Sequence, residues 1–216
     1  MSSRDAILRR IRTCLAGSPP VAAPPVPEVW PRQGADPCTL SERFAEELAA
    51  VFGETIRCHT MAEAQQQLAE LLRTGPWASL GTVDCPAARE LTAALPPSQV
   101  SWVDATWKPT DIAQLPAGLI VADTLLADTG SCMIACGTTH QRLMCYLPPA
   151  CVVLGRVAQL AEHLPAAWAD IAPRCADPQQ RGEFVLVTGP SRTADIEKIL
   201  ILGAHGPKRL VVLLVD

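Results

Sequence analysis

The stretch that decides the fold is residues 188–215, TGPSRTADIEKILILGAHGPKRLVVLLV. It ends in the uninterrupted apolar run 210–215, which is typical of a strand covered on both faces. A second apolar run, residues 184–187, comes directly before it. Glycine, proline and hydroxyl residues follow that run, so we predict a tight loop and then a helix that begins near Ser191 and ends before His205. This strand–loop–helix–strand order is typical of an α/β protein.

Upstream of this stretch, predicted helices and strands alternate from about residue 39 to residue 103. The predicted helices cover 41–52, 61–72 and 85–95, and the predicted strands cover 55–58, 77–80 and 100–103. Farther along, strands are predicted over 118–122, 131–135 and 151–154, with a helix over 157–168. The alternation predicts a parallel or mixed sheet flanked by helices.

The N-terminal part differs in composition from the rest of the chain. Residues 4–16 carry apolar side chains at helical spacing, and the proline-rich segment 18–37 predicts an extended linker. We therefore divide the chain into a helical, proline-rich arm, residues 1–38, and an α/β domain, residues 39–216.

Composition and charge exclude several classes of protein. The formal net charge of -4 argues against a nucleic-acid binder, and no apolar stretch is long enough for a membrane span. The start of the chain does not resemble a secretory signal, so a cytoplasmic location is expected. The nine cysteines include no C-x-x-C spacing, which predicts no metal or iron–sulfur cofactor in this chain.

The loop after residue 187 is the first candidate site. A well-capped strand-to-helix corner explains Gly189 and Ser191 without any ligand. The functional alternative is an anion site, because open N–H groups at a helix start attract anions and Arg192 adds a bidentate cation. In an open α/β sheet we expect such a loop at the carboxyl ends of the strands. The candidate ligand-binding residues of this region are Thr188, Gly189, Ser191, Arg192, Thr193, Asp195 and His205.

Two of these residues have competing interpretations. Asp195 near a helix start is explained by the helix dipole, or it accepts a hydrogen bond from Arg192 or from a ligand hydroxyl. His205 is either a cap at a helix end or an acid–base group whose ordinary pKa lies near neutrality.

The turn at residues 128–131 is the second candidate site. It reads Asp128, Thr129, Gly130, Ser131, which suits a plain hairpin turn and equally supplies hydroxyls, backbone N–H groups and a carboxylate to a ligand. We predict that the loop and this turn face each other across a pocket for a small anionic ligand.

The 188–215 stretch and the upstream string LLADTGSCMIACGTTHQRLMCYLPP, residues 125–149, resemble the lactate-utilisation protein C family, also called the LUD domain. The resemblance implies a ribose-5-phosphate isomerase and CoA-transferase-like α/β fold. It also implies a part in oxidising L-lactate to pyruvate alongside iron–sulfur partner proteins. It implies no catalytic residues. Two positions depart from the family pattern: Asp128 replaces a glutamate, and Cys151 stands where a histidine is frequent, so no role is carried over for that histidine.

Three functions remain open from the sequence. The chain is either a component of lactate oxidation that binds a small organic acid, or a scaffold that docks iron–sulfur partners through its arm. A third alternative, by analogy of fold, is an isomerase or transferase that binds sugar phosphates or CoA. A homo-oligomer is also left open.

Overall fold

The computed structural model describes residues 3–16, 30–176, 183–194, 200–202 and 206–216. The chain forms two compact units, Met1–Pro31 and Arg32–Asp216. The first unit contains α1 (Ser3–Leu15), which has no buried residue. The helix predicted over residues 4–16 is therefore confirmed, and its apolar side chains Ile7, Ile11 and Leu15 are exposed.

A six-stranded parallel sheet lies at the centre of the second unit. Its strands are β1 (Glu54–Cys58), β2 (Leu80–Val83), β3 (Val100–Val103), β4 (Gly118–Val121), β7 (Ala150–Arg156) and β12 (Arg209–Val215). Their order across the sheet is β1-β12-β7-β4-β2-β3, and every neighbouring pair is parallel. The strand predicted over 210–215 is confirmed as β12. It lies between two strands, as its uninterrupted apolar run predicts.

Helices cover both faces of this sheet. They are α2 (Pro37–Ala50), α3 (Met61–Thr74), α4 (Pro86–Thr92), α5 (Pro109–Ala113) and α6 (Thr139–Met144), whereas α7 (Leu164–Ala176) packs on a second sheet. Leu68 of α3 packs on the face of β12 that carries Val211 and Leu213. Phe44 of α2 packs in the cluster that contains Val212, on the opposite face. Successive β12 side chains therefore bury into two separate layers, as the two-residue period of a strand requires.

A second, four-stranded sheet lies on the α2 side. Its strands are β5 (Thr124–Leu126), β6 (Ser131–Cys136), β8 (Leu160–Ala161) and β9 (Glu183–Val187), in the order β8-β5-β6-β9. Leu125 and Cys132 point into the core shared with α2, whereas Met133 packs against Ile171 of α7. The turn at residues 128–131 joins the antiparallel pair β5 and β6.

Two predicted helices are wrong. The segment after the 188–191 loop forms an antiparallel pair, β10 (Arg192–Ala194) with β11 (Leu200–Leu202). The helix predicted over 157–168 begins only at Leu164, after a short 3-10 turn and β8. In both segments the apolar residues fit helical and strand spacing alike, and pairing with a neighbouring strand decided the outcome.

The structure confirms the α/β class, with a mostly parallel sheet flanked by helices. The closer likeness to ribose-5-phosphate isomerase and CoA transferases stays a prediction. Of the helices in the described ranges, none combines the length and apolar character that a membrane span requires.

Candidate functional site

The loop at residues 188–191 lies at the amino-terminal edge of the parallel sheet. The Ser191 N–H donates to the Pro207 carbonyl at 2.8 Å, just before β12 begins, and the Lys208 N–H donates to the Pro149 carbonyl at 2.7 Å, just before β7 begins. The prediction that this loop lies at the carboxyl ends of the strands is wrong. It follows an antiparallel strand of the second sheet, so the rule for open parallel sheets does not govern its position.

The loop and the 128–131 turn are nevertheless in direct contact. The Ser131 hydroxyl donates to the Thr129 hydroxyl at 2.8 Å and lies 2.6 Å from the Thr188 hydroxyl. The Thr129 hydroxyl in turn donates to the Asp128 carboxylate at 3.3 Å. Since each hydroxyl has one proton, Thr188 must be the donor to Ser131, and the chain of donors ends at the carboxylate.

Both glycines of this contact face the C-terminal end of α2. A Cβ atom on Gly130 would lie 2.3 Å from the Leu48 backbone nitrogen, and one on Gly189 would lie 2.5 Å from the Val51 carbonyl oxygen. Both residues have a positive φ, at 60° and 74°. Close packing and left-handed backbone therefore explain these two glycines without a ligand.

A shallow groove of about 430 Å³ opens beside the loop. Its lining includes Thr188, Gly189 and Ser191 from the loop and Tyr146 from the segment after α6, but no residue of the 128–131 turn. Cys145 also lines the groove, and its pKa is raised, first by a hydrogen bond with Cys136 and then by burial. The Cys145 thiol is therefore protonated at neutral pH and is a poor nucleophile.

The remaining predicted site residues are described only in part. Arg192 and Thr193 belong to β10, whose backbone alone is described. Asp195 and His205 lie outside the described residues. Because no helix begins at Ser191, the attraction of an anion to open helix N–H groups is not available there.

A second cavity, at the opposite edge of the parallel sheet, was missed by the sequence analysis. It has a volume of about 310 Å³ and is lined by the ends of β2 and β4, by part of β6 and by α6. We call it the switch-point cleft. The chain leaves β2 into α4 on one face of the sheet and leaves β4 into the second sheet on the other face. Ligands of open α/β sheets bind where neighbouring strands diverge in this way.

Asp123 is the carboxylate that lines this cleft. One of its oxygens accepts from the Ala135 N–H at 2.7 Å, and its own N–H donates to the Met133 carbonyl at 2.8 Å. The side chain is thus fixed between β4 and β6. The sequence signal was an Asp directly after a buried apolar run, which is informative only once the neighbours of that strand are known.

Carboxylates and arginines pair around the switch-point cleft. Arg89 of α4 makes two hydrogen bonds to Asp84, at 2.5 and 2.6 Å, and stacks over Trp102 at 5.0 Å. The hydrogen bond from Arg89 lowers the pKa of Asp84. Within the described ranges, no group of three or more His, Cys, Asp or Glu side chains has the geometry of a metal site.

Together, the sheet order and the two cavities define an α/β protein with a ligand-sized opening at each edge of its parallel sheet. The LUD domain family model matches residues 41–215, and the chain belongs to that family. The resemblance seen in the sequence is thereby confirmed.

Several relatives share about half of the chain. An uncharacterized protein YkgG of Escherichia coli is 31% identical over 112 residues, which are 48% of this chain and 45% of that protein. Lactate utilization protein C of Halalkalibacterium halodurans is 30% identical over 112 residues, with the same two shares of 48% and 45%. Lactate utilization protein C of Bacillus pumilus is 28% identical over 104 residues, 48% of this chain and 43% of that protein. The chain thus spans about half the length of the curated relatives it matches.

A solved structure of another protein is similar in fold. It is a DUF162 family protein from Deinococcus radiodurans, with a TM-score of 0.64 and 15% identity, covering 84% of this chain and 99% of that one. At this identity the likeness concerns the fold alone.

Proposed function

We propose that this protein takes part in the oxidation of L-lactate to pyruvate. The observation that carries the proposal is the LUD domain match over residues 41–215, together with relatives named lactate utilization protein C. In this proposal, iron–sulfur partner proteins carry the electrons, and this chain contributes a binding surface for a small organic acid.

The groove beside residues 188–191 is the place we propose for that organic acid. Its lining offers the Thr188 and Ser191 side chains and the backbone of Gly189 and Gly206. Arg192 follows the lining residues directly in sequence, and its guanidinium would supply the cation that a ligand carboxylate requires. The proposed set further includes Thr193, Asp195, His205 and the adjoining turn Asp128–Ser131.

Growth on L-lactate tests the cellular role. A strain that lacks the gene is expected to lose growth on L-lactate and keep growth on pyruvate, and the wild-type gene is expected to restore it. Wild-type growth of the deletion strain on L-lactate would show that the proposed role is wrong.

The organic-acid groove is tested by complementation with Arg192→Ala. We expect slow growth on L-lactate with this variant, because the ligand carboxylate loses its cation. Arg43→Ala is the matched control, since Arg43 is exposed on α2 and its loss changes the net charge equally. Full growth with Arg192→Ala would overturn the groove while leaving the role in lactate oxidation intact.

The need for partners is tested with purified protein. We expect no reduction of an artificial electron acceptor by L-lactate with this chain alone, and turnover when the iron–sulfur partners are added. Turnover by the purified chain alone would contradict the division of labour proposed above.

A further inference from the structure

The first unit of the chain contains an amphipathic helix whose apolar side chains are exposed. No residue of α1 is buried, and Ile7, Ile11 and Leu15 are 55%, 49% and 64% exposed. Their four-residue spacing places them in one stripe along the helix. Large aliphatic side chains aligned on an exposed helix form a surface that another apolar body can cover.

The same helix is the basic part of an acidic protein. It contains four arginines and one aspartate, a charge of +3, whereas the whole chain carries -4, so the other residues together carry -7. Arg10 and Arg12 are the sequence neighbours of Ile11, so they lie about 100° to either side of the stripe. A surface that covers α1 must therefore combine an apolar interior with negative charge on both flanks.

These features fit a lipid surface better than a protein. Pairing with α1 of a second copy is disfavoured, because it would bring two helices of charge +3 together. The aromatic side chains that are enriched in protein interfaces do not occur in α1. An anionic bilayer requires neither: aliphatic side chains enter the acyl region, and the stems of flanking arginines extend to the headgroups.

We propose that α1 is an interfacial helix that binds the surface of a bilayer containing anionic phospholipids. The stripe of Ile7, Ile11 and Leu15 enters the boundary between headgroups and acyl chains, and Arg10 and Arg12 bind lipid phosphates. At 13 residues α1 is about 20 Å long, so it lies in the plane of the surface and does not span the bilayer. The inference does not rest on the role in lactate oxidation.

Sedimentation of the full chain with vesicles tests this proposal. At roughly 50 mM salt, we expect vesicles of equal parts phosphatidylglycerol and phosphatidylcholine to bind the chain at least about tenfold more strongly than vesicles of phosphatidylcholine alone. The preference should disappear at about 500 mM salt, because salt screens the attraction. No binding to the anionic vesicles, or equal binding to both kinds, would overturn the proposal.

The apolar stripe is tested by two double variants that leave the charge unchanged. We expect Ile7→Gln/Ile11→Gln to bind the anionic vesicles about tenfold more weakly or worse, because apolar area is lost from the contact. Ala6→Gln/Thr13→Gln is the matched control, since both residues are exposed on the opposite side of α1, and it should stay within about twofold of the wild type. Equal binding by the two variants would contradict insertion of the stripe.

The flanking charges are tested in the same way. Arg10→Gln/Arg12→Gln should bind about tenfold more weakly or worse, because each basic residue near an anionic surface contributes to binding. Arg43→Gln/Lys108→Gln changes the net charge equally at exposed positions of the second unit, and its binding should stay within about twofold. Losses of equal size would attribute binding to net charge and overturn α1 as the site.

Hydrogen exchange locates the contact. Anionic vesicles should slow amide exchange over residues 3–15 by about fivefold or more, and slowing confined to other residues would overturn the proposal. An acidic partner protein is the competing occupant. Retention of the chain on immobilised polyglutamate, without binding to vesicles, would assign α1 to such a protein and overturn the lipid surface. Growth on L-lactate is measured separately, so either proposal can fail without the other.

Discussion

Gly130 and Gly34 have the same backbone conformation and different surroundings. Their φ angles are 60° and 69°. A Cβ atom on Gly130 would lie 2.3 Å from the Leu48 nitrogen, whereas one on Gly34 would meet nothing within 4 Å. The pair therefore separates the cost of left-handed backbone from the cost of steric overlap.

We expect Gly130→Ala to lower the free energy of unfolding by roughly 2–4 kcal/mol, because strain and overpacking add. Gly34→Ala should cost only about 1 kcal/mol, from backbone strain alone. Urea unfolding of both variants measures the difference. Equal losses would mean that the turn and α2 are not packed as described.

Ser131 is buried and joins Thr129 to Thr188 by its hydroxyl. We expect Ser131→Ala to destabilise the protein by about 1 kcal/mol, since it removes the hydroxyl bonds to Thr129 and Thr188, and these two exposed hydroxyls can bond to water instead. A double-mutant cycle with Thr188→Val should give a coupling free energy of about 1 kcal/mol. Additive effects of the two substitutions would contradict a direct bond.

The sequence identified the residues of this contact but not their role. Glycine and hydroxyl residues marked both segments as turns, and the link from Ser131 to Thr188 depends on β6 pairing with β9. Asp123 was not predicted as a site residue for a related reason. An Asp after a strand is common, and it indicates a site only when a second strand end and a helix lie beside it.

At the scale of elements, an anchor holds the segment before α2 against the start of α7. The Glu162 carboxylate accepts from the backbone N–H groups of Gln33, Gly34 and Ala35 at 2.6, 2.6 and 3.1 Å. The bond from Gln33 is the largest cause of the lowered Glu162 pKa. Successive N–H groups around one anion form a backbone nest, here filled by the protein's own side chain.

We expect Glu162→Gln to speed amide hydrogen exchange at Gln33, Gly34 and Ala35, because a neutral amide binds the nest more weakly. Acidification of the wild type should likewise lower the protection of these amides, measured as the intrinsic exchange rate at each pH divided by the observed rate. The folded-state pKa is lowered, so the stabilisation is present above the unfolded pKa and is lost as pH falls through the folded value. Protection of these amides that is indifferent to the substitution and to pH would contradict the anchor.

Element type was predictable where one spacing dominated. The apolar run at 210–215 and the stripe at 61–72 each fit one element, and both were confirmed. The start of α2 was predicted at Ser41, but Asp36 caps the helix through the N–H groups of Cys38 and Thr39, so it begins at Pro37. The sequence predicts a helix where β10 and β11 pair, because residues that favour strands also fit the helical spacing.

At the scale of the whole molecule, the sequence predicted the class but not the strand order. Alternating helices and strands require a mostly parallel sheet with covered faces, and that was confirmed. They do not determine the strand order, in which β2 lies between β4 and β3. The switch-point cleft depends on that order, so local sequence patterns could not have located it.

The position of β12 bears on how the chain acquires its fold during synthesis. β1 is an edge strand whose neighbour in the sheet is β12, and β12 also joins β1 to β7. While the ribosome is still making the intervening residues, β1 lacks the strand that pairs with it, and Leu68 of α3 lacks the β12 side chains against which it packs. Such delayed long-range pairing slows folding and exposes nascent chains to aggregation. Chaperone demand in the cell should therefore centre on the first strand of this protein rather than on its last.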